Sequence, residues 1–159
     1  MKTHFLLPNT CKKIGWLLFI PSFLASLFLS ISNLSVDKYW VVNVFAIIDS
    51  NILGPNKYFS VTSNSIVDEV MLFGLIIGGI LIGFSKLKIE DEFTSKIRYE
   101  SLVWATYLNY GLVLFFTLFI YGVSYFNVLF FNTFTLLLFF IIRFHYLIYK
   151  LNKTANDDE

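Results

Sequence analysis

Residues 102–149 read LVWATYLNYGLVLFFTLFIYGVSYFNVLFFNTFTLLLFFIIRFHYLIY. The run is free of ionisable acids and bases until Arg143 and His145, near its end. As one helix these 48 residues would be about 72 Å long at 1.5 Å per residue, more than twice the hydrocarbon thickness of a bilayer. The run must therefore fold back on itself. Gly122, Ser124 and Asn127 are the turn-favouring residues near its middle. It divides into two helices of spanning length, roughly 101–122 and 127–149.

The remainder of the chain fits the same solvent. Of 159 residues, 57% are apolar and 14% charged, whereas a soluble domain carries about 25% charged residues. One small core cannot hide that much apolar surface. The apolar run Ile14–Ile31 follows Lys12 and Lys13 and predicts a helix over 14–32, with Pro21 kinking its first half. Its length favours a retained span over a cleaved signal peptide. Ser65 with Asp68 three residues on is a Ser-x-x-Asp variant of the capping box, and it predicts a helix over 66–85. Asp68 and Glu69 would sit at the positive end of that helix dipole. The expected fold is an all-α membrane protein, a single domain of four transmembrane helices with a frayed polar tail at 150–159.

Between the first two spans the character changes. Residues 33–64 are polar, with a turn signal at Gly54-Pro55-Asn56. Tyr39–Ile48 and Tyr58–Thr62 are rich in β-branched and aromatic residues, which predicts two short strands forming a hairpin on the membrane surface.

Orientation follows from the basic residues. With both termini inside, the inner segments hold Lys2, Lys12, Lys13, Lys86, Lys88, Lys96, Arg98, Arg143, Lys150 and Lys153. The outer loop holds Lys38 and Lys57. This bias predicts a multi-pass protein of the inner, cytoplasmic membrane, with 33–64 outside and 86–100 inside. A net charge of +1 offers no basic field for nucleic acid. A single cysteine, Cys11, allows no internal disulfide.

Three groups of residues invite a role. Gly74, Gly78, Gly79 and Gly83 form two small-xxx-small pairs, which permit close helix approach in lipid. Ser22, Ser26 and Ser30 form a matching stripe on the first helix, expected to pack most simply on the second. The same residues also suit a homo-oligomer. Glu90, Asp91, Glu92, Lys96, Arg98 and Glu100 lie in the inner loop, with i, i+4 opposite charges at Glu92–Lys96 and Lys96–Glu100. They form a candidate face for a cytoplasmic protein partner, backed by an apolar stripe of Ile89, Phe93, Ile97 and Trp104. Asn109 and Arg143 are the candidate intramembrane polar groups. Asn109 is expected to hydrogen-bond across helices. Arg143 is expected to snorkel to the headgroups, to pair with Glu100, or to bind an anionic lipid.

The string EDEFTSKIRYESLVWATY (90–107) resembles a motif of small four-pass bacterial membrane proteins of unassigned function, in which an acidic cluster leads through an Ile-Arg pair into the third helix. LFGLIIGGILIGFSK (72–86) and FFIIRFHYLIYK (139–150) resemble that group too, so the likeness covers most of residues 65–150. It implies a four-helix inner-membrane protein and supplies no activity, ligand or catalytic residue.

Catalysis has little footing. His4 and His145 are the two histidines, and no nucleophile, Walker, zinc or paired-cysteine motif occurs. No cofactor, metal site or catalytic residue is expected. The reading is a non-enzymatic accessory or sensory protein; the alternative is a small oligomeric transporter or channel.

Overall fold

A computed structural model describes residues 6–32, 40–49, 57–88 and 90–157. Four helices and one hairpin follow in the order α1 (Asn9–Ser32), β1 (Val41–Asp49), β2 (Lys57–Ser65), α2 (Val67–Gly83), α3 (Glu92–Phe119) and α4 (Val123–Asp157).

Helices α1, α3 and α4 are each long and apolar enough to cross a membrane. Helix α2 is more apolar than these three but has 17 residues. At 1.5 Å per residue it measures about 25 Å, below the ~30 Å of a hydrocarbon core. Its ends explain the shortfall from 66–85. Ser65 completes β2 opposite Val41, and Ile66 is the N-cap of α2. Asn64 donates to Glu69 Oε1 at 2.8 Å, a side-chain bond across the turn from strand to helix. At the other end the chain leaves the helix to pair with the segment before α1. Leu7 N–H donates to the Phe84 carbonyl, and Lys86 N–H to the Leu7 carbonyl, both at 2.9 Å. Ser85 Oγ donates back to the Leu81 carbonyl.

Helix α1 begins at Asn9 and runs on through Pro21. Helix α3 opens at Glu92, well before the expected 101. Asp91 is its N-cap, its carboxylate accepting from Thr94 N–H at 2.7 Å. Most of the expected inner loop is thus the first turns of α3. Helix α4 continues to Asp157, so the tail is helical over most of 150–159 rather than frayed. The turn between α3 and α4 falls where expected, at Gly122, whose φ of +72° lies in the left-handed region that glycine enters without strain.

The helices lie in the packing order α1, α2, α4, α3. Gly15 meets Ile82 and Gly74 meets Ser22, so α1 and α2 are antiparallel. Gly79 meets Leu137 and Gly83 meets Phe140, so α2 and α4 run the same way. Arg98 meets Phe144 and Asn109 meets Asn132, so α3 and α4 are antiparallel. This brings Lys12, Lys86, Arg98 and Lys150 to one end of the bundle, the basic end, and the hairpin to the other. Two buried clusters hold the helices. Phe19, Leu75, Ile82, Phe134 and Ile141 join α1, α2 and α4. Ile97, Ala105, Phe140 and Phe144 join α3 and α4.

The hairpin is antiparallel, with Val41 opposite Ser65, Phe45 opposite Val61 and Asp49 opposite Lys57. The Gly54-Pro55-Asn56 turn signal lies outside the described residues.

Candidate functional site

The basic end carries a buried polar cluster. Glu90 Oε2 accepts from Leu87 N–H at 2.9 Å, which closes the turn after α2, and from Arg98 Nη2 at 3.1 Å. The Arg98 guanidinium also lies 4.9 Å from the centre of the Phe144 ring on α4. Lys12 on α1 sits within electrostatic range of both Arg98 and Glu90. His145 Nδ1 lies 2.9 Å from the Ile141 carbonyl, and the Trp16 indole contacts its ring edge-on at 5.7 Å. The Glu90 carboxylate is therefore paired with Arg98, and the Lys12 ammonium of α1 lies near the pair. Nε and Nη1 of Arg98, Oγ of Ser101 and Nε2 of His145 are buried with no hydrogen-bond partner among the described residues.

This divides the proposed partner face. Glu90 and Arg98 turn inward and pair, and Asp91 is committed to capping α3. Glu92, Lys96 and Glu100 are exposed. The inward stripe of α3 is Thr94, Ile97, Arg98, Ser101 and Ala105. Of the expected apolar stripe, Phe93 and Trp104 are exposed and Ile97 is buried, and Ile89 lies outside the described residues.

The glycines and serines meet at the α1–α2 contact. A Cβ on Gly78 would lie 2.8 Å from Phe19 N and 3.0 Å from the Gly15 carbonyl, so the two backbones touch there. A Cβ on Gly74 would collide with Ser22 Oγ. Gly79 and Gly83 face α4 instead, against Leu137 and Phe140. Gly15 is the packing residue that the sequence reading missed. It lies two turns before Ser22 on one helix face, so spacing alone could have found it.

Ser26 and Ser30 line a cavity of about 380 Å³ toward the hairpin end, with Asp68, Asn127, Met71 and Leu75. Its lining includes neither Asn109 nor Arg143. Asn109 is buried and accepts from Asn132 Nδ2 at 3.0 Å across the α3–α4 contact. Arg143 forms no ion pair with Glu100. It lies level with Trp104, and its guanidinium sits 4.6 Å from the centre of that ring system.

The hairpin displays apolar side chains that no described residue covers. Phe45, Ile47, Phe59 and Val61 are 66%, 61%, 71% and 69% exposed. Phe45 and Phe59 stand with ring centroids 6.3 Å apart. Among the described residues no group of histidine, cysteine or acidic side chains is arranged to hold a metal ion. No family model matches the chain, and no curated protein or solved structure is significantly similar to it.

Proposed function

We propose that this chain is a multi-pass protein of the inner, cytoplasmic membrane that works by contact rather than by catalysis. It would be a non-enzymatic accessory or sensory protein, akin to the small four-pass bacterial proteins that its 90–107 stretch resembles. In this reading α2 crosses as a short fourth span. Its position between α1 and α4 supports that, because neighbouring helices shield it and the bilayer can thin locally to meet it. Four crossings leave both termini and ten of the twelve basic residues inside, and the hairpin outside.

The uncovered face of Phe45, Ile47, Phe59 and Val61 carries the interaction reading. An isolated two-stranded hairpin is marginal in water. A contiguous apolar patch outside the spans is the kind of surface that a protein partner covers. Glu92, Lys96 and Glu100 offer a second, polar contact face on the inner side. The test is a photoreactive residue at position 45 in native membranes. The reading expects a discrete protein adduct that disappears with Val61→Asp, and an adduct of twice the chain mass would identify a homo-oligomer. Adducts to lipid alone would refute it.

The second reading, a small oligomeric transporter, needs a polar path past Asn109 or Arg143, and the cavity lined by Ser26, Ser30, Asp68 and Asn127 has neither in its lining. Solute flux in proteoliposomes that stops with Asp68→Asn would support that reading over the first.

A further inference from the structure

A groove between α3 and α4 opens outward near the basic end. It encloses about 290 Å³, and Trp104, Leu108, Phe139, Ile142, Arg143 and Tyr146 line it. Its walls are apolar, and Trp104, Ile142 and Tyr146 are more than half exposed on its rim. The volume lies at the small end of ligand pockets, ~300 Å³. It is too small for a whole phospholipid and suits a segment of one acyl chain.

Arg143 marks the end of the groove. Three observations set it apart from an arginine that merely reaches for the headgroups. Its guanidinium carbon lies over the Trp104 indole, 4.6 Å from the ring centre, rather than extended toward water. Its Nε is buried and has no hydrogen-bond partner. Among the described residues no carboxylate pairs with it, although Glu100 is one helical turn from Trp104. The cation is positioned, desolvated on one edge and uncompensated. Lys150 follows Arg143 by seven residues, two turns further toward the end of α4, and is exposed. Together they make a positive track leading out of an apolar groove.

We propose that this groove is a binding site for an anionic phospholipid. One acyl chain lies along Leu108, Phe139 and Ile142, and the phosphodiester oxygens accept from the Arg143 guanidinium while the guanidinium stays over Trp104. A guanidinium can do both at once, because its donors lie in the plane and its π-face is perpendicular to them. A basic pocket between transmembrane helices at the cytoplasmic surface is where anionic headgroups are captured. The inference rests on the membrane reading above.

The test uses the full chain, purified in detergent and titrated by native mass spectrometry. The probes are phosphatidylglycerol, phosphatidylcholine of the same acyl chains, and inorganic phosphate. The two lipids share the phosphodiester and differ in net charge, because the choline cation neutralises phosphatidylcholine and would face Arg143 and Lys150, so phosphatidylglycerol should bind roughly tenfold tighter. Arg143→Gln should remove that preference, Trp104→Leu should weaken it, and Arg143→Lys should retain part of it. Circular dichroism separates these effects from unfolding, and the folded Arg143→Lys protein keeps the comparison interpretable. Inorganic phosphate should not compete, since it cannot fill the groove. Equal affinity for the two lipids, an unchanged preference in Arg143→Gln, or displacement by phosphate would each overturn the proposal. Carbonate extraction of cell membranes distinguishes the two levels. Release of the chain refutes the membrane reading and the lipid site with it. Retention without lipid preference refutes the lipid site alone.

Discussion

Gly78→Ala is the sharpest test of how the helices meet. The added Cβ would lie 2.8 Å from Phe19 N, 3.0 Å from Phe19 Cα and 3.0 Å from the Gly15 carbonyl oxygen. Comfortable contact distances are about 3.5–4.0 Å. All three neighbours are backbone, so no side chain can swing away, and α1 itself must retreat by several tenths of an ångström. Overpacking of this kind costs about 1–3 kcal/mol. Alanine also favours the helix over glycine by about 1 kcal/mol, which masks part of that cost. Gly111→Ala provides the reference, because a Cβ there meets nothing within 4 Å. The propensity gain is common to both substitutions and cancels in the comparison. We predict that Gly78→Ala is less stable than Gly111→Ala by about 1–3 kcal/mol. At roughly 2–4 °C per kcal/mol, the two should melt about 2–12 °C apart in one detergent. Gly78→Leu should separate further. If Gly78→Ala melts at or above Gly111→Ala, the backbone contact between α1 and α2 is wrong.

Other expectations follow from single contacts. Arg98→Ala strands the Glu90 carboxylate in the interior and should cost about 3–5 kcal/mol; pairing it with Glu90→Gln should recover much of that in a denaturant titration, and strict additivity would argue against the ion pair. Asn109→Ala and Asn132→Ala should each destabilise the protein, and the double-variant cycle read by thermal melts should give a coupling of about 0.6 kcal/mol, at most ~1.7. Hydrogen bonds from Thr94, through its side chain and then its backbone N–H, hold the Asp91 carboxyl below the ordinary aspartate value of 3.8. The depressed value means that the cap stabilises α3 above that ordinary pKa and that the stabilisation is lost as pH falls through the lower, folded-state value. Exchange at the Thr94 amide should therefore accelerate on acidification, and Asp91→Asn should remove that pH dependence.

The basic end and the hairpin end divide the molecule's chemistry. The basic end is internally committed, with Glu90 satisfying both the turn after α2 and Arg98. The hairpin end leaves its apolar face open.

The sequence alone determined that the chain is helical and apolar, that the run after Ser101 must turn near Gly122, and that a strand pair lies between the first two helices. Periodicity and composition suffice there, because each depends on the local chain and on the length of a helix relative to a bilayer. It also located the small residues of α2, since close approach in lipid needs them wherever the partner lies. Tertiary structure decided the rest. Which glycine meets which helix depends on rotation and register, so Gly78 went to α1, Gly83 went to α4, and Gly15 emerged as the counterpart. The inward face of α3 includes Arg98, paired with a residue before the helix, and an amphipathic stripe drawn from α3 itself cannot contain that information. The start of α2 was likewise settled by β2, which runs through Ser65 and leaves Ile66 as the first residue of the turn into the helix. Arg143 found an indole rather than a carboxylate because the antiparallel register of α3 and α4 placed Trp104 beside it.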